Sequence, residues 1–190
     1  MQGTTLSFSN IHHHGELFGK IMEARKPTHL PQDWGKGTAA GHAFDQYDTP
    51  QSRWLAVQDD DGDVLASLRL TPTTAQSGIY SYMIRDAQNG LLDHVPSDLL
   101  RDQAPVAEDI WEMTRAQIRP GMYEVDRAVV RQRLVEQIIE TAKTDGISKL
   151  VAMLPLTWRE WAEQSGFSVK EAGRVWETGG RKLQAHWLGV

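Results

Sequence analysis

The stretch "RWLAVQDDDGDVLASLRLTPTT", residues 53–74, carries the strongest strand signal in the chain. Two apolar runs flank an acidic Asp-Gly turn at residues 59–63, and this arrangement predicts a β-hairpin. The turn has the composition of a calcium loop, but it lacks the length and the closing glutamate of an EF-hand. We therefore expect two antiparallel strands joined by a solvated turn.

Patterns typical of helices and strands continue on both sides of this hairpin. We predict strands at 4–10, 109–120, 149–154, 167–173 and 182–190, helices at 14–26, 126–146 and 156–166, and a long loop at 27–43, whereas 78–95 is ambiguous. Pro27 ends the first helix, and Gly146 ends the long amphipathic one. This order predicts an α+β protein, a three-layer αβα sandwich with a mixed, mostly antiparallel sheet.

Composition narrows the class of protein. With 190 residues, 40% of them hydrophobic and 24% charged, the chain is expected to form a single soluble domain over 1–190. It has no cysteine, which excludes disulfides, thiol nucleophiles and thiolate metal sites. We find no membrane span or signal peptide in the sequence, so the cytoplasm is the expected location, without a membrane partner.

Charge is distributed unevenly along the chain. Residues 1–100 carry 7 Lys/Arg against 12 Asp/Glu, so the whole net charge of −5 lies in the first half. An acidic protein is not expected to bind nucleic acid, which usually needs a strongly basic face. The three histidines at 12–14 do not indicate a metal site, because consecutive helical residues point about 100° apart.

Several charged residues occur where the pattern is otherwise apolar. Asp45 and Asp48 stand three residues apart in "HAFDQYDTP", and Arg69 interrupts an apolar strand. Glu112 and Arg115 lie inside "IWEMTRAQI", on opposite faces if that strand is regular. Each residue taken singly fits an ion-paired strand face at a sheet edge. Together, three acids and two arginines indicate a site for a ligand that carries both charge signs.

The order of these motifs resembles the acyl-homoserine-lactone synthases, the autoinducer synthases of bacterial quorum sensing. That family has an Arg near the end of its first helix, a Trp in the next loop, D-x-[FY]-D, R-L-x-P-T-T and W-E-x-[ST]-R. The corresponding residues here are Arg25, Trp34, Asp45 and Asp48 in "FDQYD", Arg69 in "RLTPTT", and Glu112 with Arg115 in "IWEMTR". The match runs from about residue 15 to residue 120, and the second half shares only the pattern of helices and strands.

The resemblance implies the acetyltransferase-like (GNAT) fold and a reaction with two substrates. An acyl group arrives as a thioester on acyl carrier protein or as acyl-CoA, and S-adenosylmethionine supplies the amine. The reaction is expected to need no further cofactor. Asp45, Asp48, Arg69 and Arg115 are expected to hold its charged groups with Arg25, Trp34 and Thr114. Glu112, directly or through a water molecule, is the expected general base. Backbone N–H groups near residues 114–117 are expected to stabilise the oxyanion.

The resemblance also leads us to expect an acyl-chain pocket and a docking surface for acyl carrier protein. The acyl chain is expected behind the strands at 110–118 and 149–154 and under the helix at 127–143, with Met113, Val151 and Met153 as lining residues. A basic patch for acyl carrier protein is expected on the same helix, at Arg127 and Arg131, with Lys149 and Arg159 beside the channel mouth. A solvated helix face is the alternative reading of this patch.

Two other functions remain open from the sequence. One is a GNAT-type N-acyltransferase that uses acyl-CoA and another amine, although "RPGMYEVDRAVV" does not fit the pyrophosphate loop of such enzymes. The other is a catalytically silent relative that binds a ligand without converting it.

Overall fold

The structure, a computed structural model, describes residues 1–25, 44–93 and 95–190. In these residues, a mixed sheet of seven strands forms the middle layer of the protein. The strand order is β1-β2-β3-β4-β5-β7-β6. The strands are β1 Gln2–Leu6, β2 Arg53–Gln58, β3 Val64–Pro72, β4 Ile110–Ile118, β5 Lys149–Pro155, β6 Ser168–Thr178 and β7 Arg181–Gly189. The helices are α1 Leu17–Ala24, α2 Met83–Gln88, α3 Glu124–Asp145 and α4 Arg159–Gln164, with single 3-10 turns at Ile11–His13 and Leu156–Trp158.

Alternation along β2 shows how the sheet separates two helical layers. Trp54 and Ala56 pack with α1 on one face, while Leu55 and Val57 belong to the core under α3 on the other. Helix α4 joins the α3 layer through Ala162. Helix α2 packs in separate clusters. The predicted three-layer αβα sandwich with a mostly antiparallel sheet is therefore confirmed.

Most of the predicted elements are present, with shifted ends. The hairpin of β2 and β3 pairs Arg53 with Leu70 and is antiparallel, as expected. Gly146 ends α3 in the left-handed conformation, at a φ of 70°. The ambiguous segment at 78–95 contains the short helix α2. Strand β6 continues to Thr178, five residues beyond its predicted end, and a Gly-Gly turn leads into β7. The predicted loop at 27–43 lies outside the described residues.

The parallel pairing between β4 and β5 is short. It runs from the pair Ile110/Lys149 to the pair Met113/Ala152, although β4 continues to Ile118 and β5 to Pro155. The sheet therefore opens between the far ends of these two strands.

A bulge in β4 lies beside this opening. Arg69 pairs with Thr114 and Ser67 with Gln117, so β4 has one residue more than β3 over this stretch. Arg115 adopts a φ of 57°, which is unusual for a residue with a side chain. The bulge breaks the alternation, so Thr114 and Arg115 both reach the face that carries Arg69. The expectation that Glu112 and Arg115 point to opposite faces, which assumed a regular strand, is therefore wrong.

Among the described residues, no helix combines the length and apolar character needed to cross a membrane. Within the same ranges, no group of three or more His, Asp or Glu side chains is placed to hold a metal ion.

Candidate active site

A cleft of about 1830 Å³ lies where β4 and β5 separate. Charged and polar side chains line one side of it: Asp45, Arg69, Thr114 and Arg115. Apolar side chains line another part of it, among them Met83, Met113, Met153, Leu154 and Trp158. The cleft therefore joins a charged compartment to an apolar one.

The turn "FDQYD" explains why the two aspartates stand three residues apart. The backbone N–H of Asp48 donates to the carbonyl of Asp45 at 3.0 Å, which closes the turn. The Asp45 carboxylate accepts the N–H of Tyr47 at 2.9 Å, and the Asp48 carboxylate accepts the N–H of Asp45 at 3.0 Å. Aspartates commonly bond neighbouring backbone in this way. The turn thus fixes both carboxylates beside the sheet.

These aspartates belong to a continuous chain of buried ion pairs. Its order is Arg25–Asp48–Arg69–Asp45–Arg115, with nitrogen–oxygen distances of 2.8, 3.0, 2.5 and 2.6 Å. The indole N–H of Trp54 also donates to Asp48 at 2.7 Å. Nε of Arg69 donates to the hydroxyl of Thr114 at 3.2 Å. The chain connects the end of α1 to the bulge in β4 and reaches the cleft at Arg115.

The ion pairs keep both aspartates charged. Burial alone would raise the pKa of Asp45, but Arg69 and Arg115 outweigh it and hold that pKa far below its usual range. Asp48 follows the same rule: burial raises its pKa, and Arg69 and Arg25 lower it further than burial raises it. Burial lowers the pKa of Arg25 to about 10, which leaves it charged at neutral pH.

The composition of this series of ion pairs differs from the sequence-based expectation of three acids and two arginines. Among the residues that the structure describes, these ion pairs join two carboxylates and three guanidiniums. Glu112 stands outside the chain of ion pairs. The guanidiniums of Arg69 and Arg115 line the cleft, and guanidiniums bind anionic groups such as carboxylates.

Glu112 is held by the first turn of α2. Its two carboxylate oxygens accept the backbone N–H groups of Met83, at 3.0 Å, and of Ile84, at 2.8 Å. Burial raises the pKa of Glu112 to about 7, against the lowering effect of these N–H groups and of Arg69, while the charge of Asp86 raises it further. A carboxyl group with this pKa can accept a proton near neutral pH.

Three residues of the site were not predicted from the sequence. Tyr47 lines the cleft, Trp54 binds Asp48, and Asp86 accepts both the N–H and the hydroxyl of Ser81 at 3.0 and 2.6 Å. An aspartate inside the apolar run "YMIRDA" was the available signal for Asp86, since a buried carboxylate needs such partners.

The predicted acyl-lining residues are divided between two places. Met113 and Met153 line the cleft, whereas Val151 is buried in the core with Tyr82 and Ala185 and does not line it. Val151 has this position because it lies within the paired part of β5, opposite Glu112. A small apolar cavity of about 10 Å³ lies under α3, and Met113 borders it too.

The predicted basic patch is only partly beside the cleft. Arg127 lines the cleft and lies 3.6 Å from Glu124, to which Arg131 is also paired, at 2.7 Å. Arg159 pairs with Glu163 and Glu171. Lys149 is at the opposite end of β5 from the opening and lies over the ring of Trp187, so the expectation that it flanks the channel mouth is wrong. Trp34 lies outside the described residues.

Curated relatives of the chain share one name. An acyl-homoserine-lactone synthase of Ralstonia nicotianae is 27% identical over 151 residues, which cover 77% of this chain and 68% of that protein. An acyl-homoserine-lactone synthase of Pseudomonas chlororaphis is 26% identical over 160 residues, or 84% of this chain and 68% of the relative. No protein-family model matches the chain.

Solved structures show the same fold. TofI, in a ternary complex with an inhibitor and MTA, has a TM-score of 0.75 and 19% identity, with 100% of this chain and 91% of that one covered. BjaI, a CoA-dependent acyl-homoserine lactone synthase with SAM and isopentyl-CoA, has a TM-score of 0.71 and 18% identity over 98% and 82% of the two chains. An acyl-CoA N-acyltransferase from Pseudomonas aeruginosa is more distant, at a TM-score of 0.55 and 12% identity over 98% and 99%. The fold is GNAT-like, and the resemblance found in the motifs is confirmed over most of the chain.

Proposed function

We propose that this chain is an acyl-homoserine-lactone synthase, an acyltransferase that makes a quorum-sensing signal. It would transfer an acyl group from a thioester to the amine of S-adenosylmethionine and release methylthioadenosine when the lactone closes. The observation that carries the proposal is the buried chain of ion pairs that reaches the cleft at Asp45, Arg69 and Arg115.

The charged compartment matches the groups of S-adenosylmethionine. The carboxylate of S-adenosylmethionine would bind at the guanidinium of Arg115 or Arg69, because both line the cleft and guanidiniums bind carboxylates through two parallel hydrogen bonds. Its ammonium and sulfonium would lie near the carboxylate of Asp45, which stays ionised between two arginines. Arg25 and Asp48 are buried behind these residues and would position them. Trp34 and Thr114 remain proposed substrate contacts.

The chemical step needs a base and an oxyanion site. We assign the base to Glu112, whose raised pKa suits it for removing a proton from the amine at neutral pH. The amine then attacks the thioester carbon, and backbone N–H groups of the bulged strand near residues 114–117 would stabilise the oxyanion. The substrate carboxylate displaces methylthioadenosine from the γ-carbon. This closure depends on proximity within the bound molecule.

The apolar side of the cleft would hold the acyl chain. Met113 and Met153 border the opening between β4 and β5, and flexible methionines adapt to chains of different length. The donor is proposed to be acyl carrier protein or acyl-CoA, and the proposed place of action is the cytoplasm, where both substrates are made.

The test is a reaction of the purified chain with S-adenosylmethionine and a series of acyl carrier protein and acyl-CoA thioesters of different chain length. Release of methylthioadenosine and an acyl-homoserine lactone, both followed by mass spectrometry, is the expected result. Acylation of other amines without methylthioadenosine would instead favour a general N-acyltransferase of the same fold. Binding of S-adenosylmethionine by calorimetry without any turnover would identify a silent relative.

A further inference from the structure

A second buried carboxylate, Asp86, lies close to the helical turn that holds Glu112. Neither Asp86 nor Glu112 has exposed surface. Both oxygens of Asp86 accept the backbone N–H of Ser81, each at 3.0 Å, and one of them also accepts the hydroxyl of Ser81 at 2.6 Å. Hydrogen bonds to a charged carboxylate are stronger than those between neutral groups. Asp86 therefore restrains the backbone at the start of α2.

These bonds fix the turn that carries the hydrogen-bond donors of Glu112. Ser81 precedes the helix and Asp86 is its fourth residue, so the bonds between them span its first turn. The backbone N–H groups of Met83 and Ile84, inside this span, donate to Glu112 at 3.0 and 2.8 Å. An acidic side chain near a helix start that accepts an N–H from before the helix acts as in a capping box. The direction of both N–H groups therefore depends on Asp86.

Asp86 also acts on Glu112 through its charge. Burial raises the pKa of Glu112 to about 7, the two N–H groups and Arg69 act against this rise, and Asp86 adds to it. The phenols of Tyr47 and Tyr82 face the same carboxylates. Burial raises the pKa of each phenol above its usual range and the carboxylates raise it further, so both phenols stay neutral. Asp86 is thus a like charge beside Glu112, and it disfavours the ionised form of Glu112.

We infer that Asp86 is a positioning residue for the proposed base: it holds the two N–H donors of Glu112 in place and opposes the ionised form of that carboxyl group. The inference rests on the proposed function and adds how the base is kept effective near neutral pH. Without the charge of Asp86, Glu112 would ionise at a lower pH and would be a weaker base. Without the hydrogen bonds of Asp86, the carboxylate of Glu112 would lose its fixed direction.

The first test is Asp86→Asn, which removes the charge and keeps the shape of the side chain. The single amide oxygen can still accept both groups of Ser81, because one oxygen of Asp86 accepts both. Loss of the like charge favours ionised Glu112, so the midpoint of the rise of kcat with pH should fall by about half a unit. At pH 6 the variant should then keep about a 2- to 3-fold larger fraction of its plateau activity than the wild type.

Asp86→Ala removes the hydrogen bonds as well as the charge. Its kcat should fall about 10-fold or more at every pH, because a misdirected base is less effective. The plateau kcat of Asp86→Asn should instead stay within about 3-fold of the wild type, since its base keeps both N–H groups. The KM for S-adenosylmethionine should be nearly unchanged in the asparagine variant.

Asp98→Asn is the matched control for loss of charge. It also removes an aspartate charge, in the segment after α2, but Asp98 is exposed and pairs with Arg174. Solvent and salt screen such a charge, so the pH profile of this variant should equal that of the wild type.

The titration of Glu112 can also be followed without any reaction. In protein labelled with ¹³C at the side-chain carboxyl groups of glutamate, the NMR signal that disappears in Glu112→Gln belongs to Glu112. This signal should titrate at a lower pH in Asp86→Asn than in the wild type. The measurement separates a failure of the inference from a failure of the proposed function.

Three results would overturn the positioning role. An unchanged midpoint in Asp86→Asn, in the kinetics and in the carboxyl titration, would mean that Asp86 does not act on Glu112. A kcat loss in Asp86→Ala that only matches a loss of folded protein, measured by circular dichroism, would give its hydrogen bonds a structural role alone. Both of these results leave the proposed function standing. A wild type that makes no lactone would overturn the function and the catalytic role together, even if the carboxyl titration still shifted in Asp86→Asn.

Discussion

Glu112 shows how opposing effects set the chemistry of a single residue. Burial raises its pKa because the charged form loses water, while two backbone N–H groups and Arg69 favour that charged form. A carboxylate with the same hydrogen bonds at the surface would have a low pKa and be a weak base. The burial is therefore necessary for the proposed role.

The replacement Glu112→Gln should remove the base while keeping the shape of the side chain. We expect kcat to fall about 10²-fold or more. In the wild type, activity should rise with pH through about 7, because only the deprotonated Glu112 accepts a proton and its pKa is raised to about 7. Measuring kcat across pH for both proteins tests this.

In the glutamine variant, the rise near pH 7 should be absent, and any remaining pH dependence belongs to the substrate amine. Far-ultraviolet circular dichroism checks that the variant is folded. Turnover like that of the wild type, with the same pH profile, would remove Glu112 from the mechanism.

Arg69 is the centre of the buried ion pairs, since it contacts both Asp45 and Asp48. Replacement by alanine leaves each aspartate one arginine, but it removes the shared one from a buried site. We expect Arg69→Ala to lower the free energy of unfolding by about 3–5 kcal/mol. Urea unfolding at pH 7 measures this loss.

Arg174→Ala is the control for Arg69→Ala. Arg174 also makes two short hydrogen bonds to one aspartate, Asp98, but both partners are exposed to solvent. The decrease in the free energy of unfolding should be much smaller for Arg174→Ala, because water replaces an exposed partner. Equal losses in the two variants would contradict the claim that burial gives the Arg69 pairs their importance.

At the scale of elements, features that depend on neighbouring residues in the sequence were predicted correctly. Features that depend on pairing between distant strands were not predicted. The hairpin of β2 and β3 was predictable because its two apolar runs and the turn between them are adjacent in sequence. The bulge at Arg115 was not, because it appears only when β4 is paired with β3. The burial of Val151 could not be predicted for the same reason, since the side of β5 that faces the cleft depends on where β4 and β5 separate.

Strand β6 crosses the backbone after α2 at a single glycine. A Cβ atom built on Gly173 would lie 1.6 Å from the carbonyl oxygen of Leu99, which is backbone and cannot rotate away. We expect Gly173→Ala to lower the Tm strongly, because the two segments must move apart. Thermal unfolding followed by circular dichroism is the measurement.

Gly19→Ala is the matched substitution in α1. A Cβ atom there meets none of the described residues within 4 Å, and alanine favours a helix over glycine by about 0.5–1 kcal/mol. The Tm of this variant should rise slightly. If both variants behaved alike, the close approach at Gly173 would not exist.

At the scale of the whole molecule, the site is assembled from distant segments. Arg25, Asp45, Arg69 and Arg115 come from four parts of the chain and meet only in the folded sheet. Charged residues in otherwise apolar stretches indicated one site for Asp45, Asp48, Arg69, Glu112 and Arg115, whereas Arg25 followed only from the resemblance to a known family. The position of Glu112 on the N–H groups of α2 could not be predicted, because it depends on how α2 packs against the folded sheet.

Recognition of the acyl donor is expected to depend on local charge, since the net charge of the chain is −5. Acyl carrier proteins are acidic, and Arg127 lies on the cleft. Reversal of Arg127 and Arg131 to Glu should raise the KM for the acyl carrier substrate and leave that for S-adenosylmethionine nearly unchanged. The difference from wild type should shrink as salt screens the charges. Steady-state kinetics at several salt concentrations test this.

Reversal of Lys149 and Lys170 to Glu is the control. It changes the net charge equally, but both lysines lie at the end of the sheet away from the opening. Carrier kinetics should stay near those of the wild type. Unchanged kinetics in the arginine variant would place the docking surface elsewhere or favour acyl-CoA as the donor.

The extra residue in β4 also bears on how such a sequence can evolve. Between Thr114 and Gln117 the strand has two residues opposite one in β3. An in-frame deletion there would restore strict alternation and turn Arg115 to the face of Met113, away from Asp45. A substitution at Ala116 leaves the count unchanged. Lineages that keep this site can therefore vary the kinds of residue in this segment, but selection acts against any change in its length.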